Sequence, residues 1–279
     1  MRIFLTGGSG QLGLALRRVL STHDLLAPSE SEADISDPQV ARLIVEARPD
    51  VVIHAAAYTD VDGAEAHPDR AFAVNASGSR HVAQGAAEAG ARLIAVSTDY
   101  VYDGAKDGPY REDDPVAPLG LYGASKLEGE REILKAKPDA VILRTAWLYG
   151  EGKNFVETIL RLARERDELR IVDDQRGSPT AVADLATVIA ALLQTPCAGV
   201  YHAVNAGACS WYEFAREILR LAGIDRRVVP IRSSELVRPA KRPANSVLDC
   251  GKLAALGLTL RPWQDALRAY LQERGLVAA

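Results

Sequence analysis

A short apolar run, Arg2–Thr6, breaks into Gly7-Gly8-Ser9-Gly10-Gln11-Leu12-Gly13, and a helix-like stretch, Leu12–Leu20, follows at once. Glycine lacks a Cβ, so such a turn can be tight and can let a pyrophosphate approach the backbone. The helix that follows offers unpaired N–H groups and the positive end of its dipole to that phosphate. The run satisfies Gly-x-Gly-x-x-Gly at Gly8, Gly10 and Gly13, and Gly-x-x-Gly-x-x-Gly at Gly7, Gly10 and Gly13. Either pattern alone is weak. Set between a strand and a helix, it predicts a dinucleotide-binding turn, with an ordinary strand-to-helix turn as the alternative.

The rest of the first half supports that frame. Candidate strands are Arg2–Thr6, Leu25–Ala27, Val51–His54, Leu93–Ser97 and Ala140–Arg144; helix-like stretches are Leu12–Leu20, Pro38–Ala47, Pro68–Ala89 and Leu121–Lys135. Strands alternating with helices predict crossover units on a parallel sheet, and continuous Val/Ile/Leu runs suit a sheet covered on both faces. Beyond Gly150 the order changes. Asn154–Arg166, Ala181–Leu193, Trp211–Leu221 and Trp263–Glu273 read as helices, and Leu169–Val172 and Val200–Val204 as strands. The expected class is α/β: a Rossmann-type doubly wound parallel sheet with a smaller C-terminal α/β substrate lobe. Residues 1–150 form the dinucleotide-binding domain, and residues 151–279 form mainly the substrate lobe, partly interleaved with the first.

Composition excludes several partners. A net charge of −4, with arginines spread beside acids, gives no basic face for nucleic acid. Cys197, Cys209 and Cys250 form no Cys-x-x-Cys pair, which fits reduced thiols better than a disulfide framework. His23, His54, His67, His81 and His202 lack ligand spacing, so no metal site is expected. The N-terminal apolar run is too short for a signal-peptide core, and no stretch is long enough to span a bilayer. A cytoplasmic location without membrane contact is expected, and a homodimer is left open.

Tyr122 and Lys126 stand four apart at the start of a predicted helix, which puts both on one face. A neighbouring ammonium favours the phenolate and lowers the phenol's pKa, and a tyrosine so poised can protonate a developing alkoxide. Tyr-x-x-x-Lys alone is a frequent chance match. Ser97-Thr98-Asp99, at the carboxyl end of a candidate strand, adds a hydroxyl where open α/β sheets place their ligands. Ala55-Ala56-Ala57 are small enough for a dinucleotide to lie against the backbone, or simply for tight packing. Past the second strand the chain reads Ala27-Pro28-Ser29-Glu30: Ser29 is neutral, no Arg is beside it, and Glu30 either binds a ribose or is solvated. Asp34-Ile35 lies near the adenine ring, or Asp34 caps the helix starting at Asp37-Pro38.

These residues together resemble the extended short-chain dehydrogenase/reductase superfamily. Within it, Ala55–Asp62, Ser97–Tyr102, Arg144–Tyr149, Asp174–Thr180 and Arg242–Ser246 are similar to the dTDP-4-dehydrorhamnose reductases, and the likeness covers nearly the whole chain. The resemblance implies NAD(P)H-dependent reduction of the C4 ketone of a nucleotide sugar, with NADPH the expected cofactor and NADH the other option. It implies that Gly7, Gly10, Gln11 and Leu12 hold the pyrophosphate, and that Ala57, Tyr58 and Thr59 line the cofactor channel. Thr98 would hydrogen-bond the C4 carbonyl, Tyr122 would protonate that oxygen, and Lys126 would bind the nicotinamide ribose and tune Tyr122. Asp99 and Trp147 would shape the sugar pocket. Asn154 and Phe155 are candidates for sugar or base contacts and Arg242 for the diphosphate, since a guanidinium suits phosphate geometry. Asn75 is a candidate for positioning the Lys126 surroundings.

Two alternative functions are compatible with these motifs. One is a nucleotide-sugar epimerase or dehydratase, although Thr98-Asp99 is followed by Tyr100 where dehydratases carry a second carboxylate. The other is a non-catalytic NADP-binding regulatory subunit, similar to those of methionine adenosyltransferases; such a module has no need of Thr98, Tyr122 and Lys126 together.

Overall fold

The computed structural model describes residues 1–277. The first part of the chain runs β1 (Arg2–Thr6), α1 (Gln11–Val19), β2 (Asp24–Leu26), α2 (Gln39–Ala47), β3 (Val51–His54), α3 (Val61–Ala66) and α4 (Pro68–Phe72). It continues through α5 (Ser79–Glu88), β4 (Arg92–Thr98), α6 (Leu121–Ala136) and β5 (Val141–Thr145). Beyond these come β6 (Leu148–Tyr149), α7 (Phe155–Glu165), β7 (Glu168–Val172), β8 (Arg176–Gly177), β9 (Thr180–Ala181) and α8 (Val182–Leu192). The chain closes with β10 (Gly199–His202), β11 (Cys209–Ser210), α9 (Trp211–Leu221), β12 (Arg227–Ile231), α10 (Gly251–Ala254) and α11 (Trp263–Glu273).

The six-stranded central sheet has the order β10-β5-β4-β3-β1-β2, and every pairing is parallel. All residues of β3 and β5 are buried, as a sheet covered on both faces requires. On one face Leu12 and Leu16 of α1 pack with Leu185, Ile189 and Leu192 of α8. On the other, Val40 and Ile44 of α2 meet Val82 and Ala86 of α5. The strand order reverses at β1, so the carboxyl ends of β1 and β3 flank the crevice in which open α/β sheets bind ligands.

Two elements from beyond residue 150 belong to this layer: β10 adds the edge strand beside β5, and α8 covers α1. The second core gathers Val156, Ile159 and Leu160 of α7, Phe214 and Ile218 of α9, and Leu267 and Leu271 of α11. Three two-stranded pairs, β7–β12, β6–β9 and β8–β11, brace it.

Two departures from the sequence reading have a clear local cause. The long helix expected over Pro68–Ala89 is interrupted by a π-helical turn, Ala73–Gly78. The wider turn aims Asn75 inward, where its amide accepts from Tyr58 N at 2.8 Å and donates to Tyr58 O at 3.1 Å and Ser125 Oγ at 3.0 Å. The strand β12 was not in the sequence reading; it holds Pro230 and pairs only with β7, an edge position that tolerates the missing N–H.

Candidate active site

A cleft of about 780 Å³ opens along the carboxyl ends of β1, β3, β4 and β5. Its floor is the glycine loop. Gly7 has φ +75°, and a Cβ there would stand 2.6 Å from Ala56 N, so only glycine permits the turn against Ala55-Ala56. Gly10 N donates to Gly7 O at 3.1 Å, and Gly10 begins α1 in extended geometry. No side chain caps this end and no acid lies in its first turn, so its N–H groups and positive dipole face the cleft. Gly7, Gly10, Gln11 and Leu12 all line the cleft, as do Ala57, Tyr58 and Thr59. The Nε2 of Gln11 donates to Lys153 O at 3.0 Å, while its buried Oε1 has no partner. Thr145 Oγ1, also buried in the cleft wall, has none either. A cradle that a Cβ would fill, a bare helix start and two unmet acceptors fit a dinucleotide.

Asp34 and Ile35 line the far end. Asp34 Oδ1 accepts from the N–H and hydroxyl of Ser36, at 2.9 and 2.7 Å. It does not cap α2; Asp37 does so, accepting from Gln39 N at 2.8 Å.

Thr98, Asp99, Tyr122 and Lys126 form one wall. Thr98 ends β4, and Tyr122 and Lys126 project from the first two turns of α6. The start of α6, at Gly120, has no cap of its own; Glu65 of α3 accepts from Leu121 N at 2.8 Å instead. Nothing local in the sequence signals that partner, which lies three helices earlier. Lys126 Nζ donates to Val96 O at 2.9 Å, and burial pulls its pKa down to about 8, with Glu130 opposing. Burial likewise holds His54 at about 3, with Lys126 adding to the shift, so this imidazole is neutral between Thr6 and Ser79.

The expected lowering of Tyr122 by Lys126 does not hold here. Burial pushes the phenol up to about 12; the Thr98 hydroxyl pulls it back and the charge of Asp99 raises it further. With the ammonium bonded to Val96 O, desolvation wins, and Tyr122 keeps its proton.

Asp99 is 2% exposed. Its Oδ1 accepts from Thr98 Oγ1 at 3.1 Å, and its Oδ2 has no partner. Burial lifts its pKa to about 6, and the Ser246 and Thr98 hydroxyls partly offset this. Between the ordinary 3.8 and about 6, the folded chain keeps a proton that the unfolded chain has released. Stability therefore falls as pH rises through that window and stays lower above it. Asp99→Asn should raise the unfolding free energy of the cofactor-free protein at neutral pH by roughly 2–3 kcal/mol. The gain should vanish below the ordinary carboxylate range. Urea unfolding at both pH values checks this, and no gain at neutral pH would refute it.

Trp147 faces the same space from the turn after β5, with φ +47°. A non-glycine residue rarely adopts that conformation, and such strain marks positions held for function. Its ring stacks on Trp211, centroids 3.4 Å apart and planes at 7°. Phe155 packs on Trp211 at 4.6 Å, behind this pair.

Two expected ligand residues are otherwise engaged. Asn154 borders the cleft, but its amide caps α7 by accepting from Glu157 N at 3.1 Å, and it donates to Gly150 O and Gly152 O. Arg242 is not part of the cleft wall. Its Nη1 and Nη2 donate to Asp62 at 3.1 and 2.9 Å, and Ala240 N donates to the same carboxylate. Asp62 offers a bidentate partner within reach, so this guanidinium pins its loop to α3 rather than standing free for a phosphate.

Among the described residues, no cluster of His, Cys, Asp or Glu could hold a metal ion, and no helix is long and apolar enough to cross a membrane.

The family model described as RmlD substrate binding domain matches residues 1–275. The dTDP-4-dehydrorhamnose reductase of Mycobacterium tuberculosis is 46% identical over 281 residues, spanning 97% of this chain and 92% of that protein. A solved dTDP-4-dehydrorhamnose reductase from Clostridium acetobutylicum superposes with a TM-score of 0.96 at 40% identity, covering 99% of this chain and 100% of that one. Another, from Bacillus anthracis in complex with NADP, gives 0.95 at 40% identity, covering 98% and 99%.

Proposed function

The chain belongs to the RmlD substrate binding domain family, that of the dTDP-4-dehydrorhamnose reductases, and from that premise we infer that it reduces the C4 ketone of dTDP-4-dehydro-β-L-rhamnose to dTDP-β-L-rhamnose. Bound NADPH, or NADH, supplies the hydride. The observation that carries the reading is the convergence of Thr98, Asp99, Tyr122 and Lys126 on one wall of the cleft whose floor is the glycine loop.

Each residue then has a task. The backbone of Gly7, Gly10, Gln11 and Leu12, at the bare start of α1, holds the pyrophosphate. Ala57, Tyr58 and Thr59 line the channel, with Asn75 fixing the backbone of Tyr58. Asp34 and Ile35 border the adenine end. Lys126 spends one N–H on Val96 O, leaving two for the nicotinamide ribose. Thr98 turns its one O–H from Asp99 Oδ1 to the C4 oxygen and Tyr122 protonates that oxygen, a downhill transfer because an alkoxide is a stronger base than a phenolate. Asp99 Oδ2 accepts from a sugar hydroxyl, and Trp147, stiffened by Trp211, forms the apolar wall. Asn154 shapes the rim through its cap on α7. Arg242 contributes to diphosphate binding only by exchanging Asp62 for it. Three unpaired cysteines suit a reducing cytoplasm.

The experiment is direct. Purified protein mixed with dTDP-4-dehydro-β-L-rhamnose and NADPH or NADH should consume one reduced cofactor per dTDP-β-L-rhamnose formed. A changed sugar without net cofactor use would mean an epimerase. Cofactor binding with no conversion would favour the regulatory subunit.

A further inference from the structure

We propose that Arg17 reads the 2′-phosphate of NADPH and is the residue by which this chain prefers NADPH to NADH. The proposal rests on the reductase reading above and adds a selectivity determinant to it.

Read along the sequence, the end of β2 is neutral: Ser29 has no arginine beside it. The fold supplies one from α1. Arg17 Nε donates to Gly8 O at 3.0 Å, and its Nη2 donates to Ala27 O at 2.8 Å. Those two carbonyls belong to the glycine loop and to the residue just past β2. Between these two segments the adenosine ribose of a dinucleotide is held in a fold of this kind, and an arginine nearby accommodates a 2′-phosphate. The seat is tight. A Cβ on Gly8 would lie 3.1 Å from Arg17 Nη2 and 3.0 Å from the Ala27 Cβ, so glycine here makes room for the guanidinium. Two bonds to carbonyls leave three of its five N–H groups for another acceptor. Among the described residues, no carboxylate pairs with it, whereas its neighbour Arg18 is paired with Glu151.

One acid of the same loop, Glu32, is withdrawn in the complementary way, while Glu30 lines the cleft. An acid free to accept from the ribose hydroxyls is what favours NADH. Glu32 is not free: its Oε2 accepts from Ser29 N at 2.8 Å and Ser29 Oγ at 2.7 Å. The Ser29 and Ser31 hydroxyls lie 3.1 Å apart, and Ser29 lines the cleft just past Ala27, whose carbonyl holds the guanidinium. A cation fixed in advance between the glycine loop and the residue just past β2, with the Glu32 carboxylate folded back on Ser29, suits a dianion at the ribose 2′ position.

Calorimetric titration with 2′,5′-ADP and with 5′-AMP, the adenosine halves of the two cofactors, tests this without turnover. The unaltered protein should bind 2′,5′-ADP more tightly. Arg17→Gln should weaken 2′,5′-ADP and NADPH by about tenfold or more, the loss expected for a hydrogen bond to a charged group, while 5′-AMP and NADH change little. Arg17→Lys, which keeps the charge but not the fork, should fall between. Equal weakening of both nucleotides would overturn the proposal, because Arg17 would then only brace Gly8 against Ala27. Unchanged binding of 2′,5′-ADP would overturn it as well. If neither nucleotide, nor either whole cofactor, bound the unaltered protein, the cofactor reading itself would fail and take this one with it.

Discussion

Tyr122→Phe is expected to lower kcat by about 10²–10⁴-fold, the range for removing a positioned general acid, and to leave NADPH affinity near its original value. The substitution deletes one oxygen. The ring keeps its edge contact with Tyr100, centroids 5.5 Å apart at 77°, and the phenol has no backbone partner whose loss would unfold α6. What disappears is the only protonated group of the wall that is suited to completing the alcohol. Thr98 still donates a hydrogen bond to the carbonyl oxygen, but a threonine hydroxyl is too weak an acid to give its proton up to the alkoxide with any driving force. Lys126 is bonded to Val96 O, on the β4 side. Because burial holds Tyr122 at about 12, its proton is present throughout the physiological range, so the loss should show at every pH. Single-turnover reduction and a fluorescence titration of NADPH separate the two effects. Unchanged turnover would remove Tyr122 from the chemistry, and a matching loss of cofactor affinity would make its role structural.

What the sequence made legible follows from how local each signal is. Strands β1, β3, β4 and β5 could be read because burial on both faces forces unbroken apolar runs such as Val51-Val52-Ile53 and Val141-Ile142-Leu143. The glycine loop could be read because its conformation demands particular residues. Tyr122 and Lys126 could be paired because helical spacing is a local rule. Contacts made at a distance could not be read. Arg17 looks like any exposed helix arginine until the fold sets it against Ala27. Glu65 becomes the cap of α6 only through tertiary packing. Arg242 looks like a free phosphate ligand until Asp62, 180 residues earlier, is brought to it. The pKa of Tyr122 reverses its expected direction for a related reason: spacing names the neighbour, but burial decides the balance.

The largest stability effect should come from a residue pair that never meets a ligand. Arg144 of β5 and Glu130 of α6 form a buried ion pair, each side chain 5% exposed, with Nε and Nη2 of Arg144 donating to the carboxylate at 2.9 and 2.6 Å. Ser97 Oγ donates to the same carboxylate at 2.5 Å, and Arg144 Nη1 donates to the Tyr102 hydroxyl at 2.7 Å. That hydroxyl lies 2.8 Å from Nε2 of His202 in β10. The network therefore ties α6 to β4, β5 and β10 one helical turn beyond Lys126 and two beyond Tyr122. Replacing both charges with well-packed apolar groups could leave stability nearly unchanged, so the pair itself is a weak argument for stability. Removing one partner is another matter, because the other charge is left buried and uncompensated. Arg144→Met should cost about 3–5 kcal/mol, and Glu130→Met a similar amount, whereas the double variant should recover much of the loss. Urea unfolding measures all three, with the midpoint moving and the slope held constant. If the pair also sets where α6 lies on the sheet, the recovered double variant should stay folded yet bind NADPH poorly, since Lys126 rides on the same helix. A loss below about 1 kcal/mol for Arg144→Met, the size of an exposed pair, would show that water reaches the network and that it does not anchor the catalytic helix.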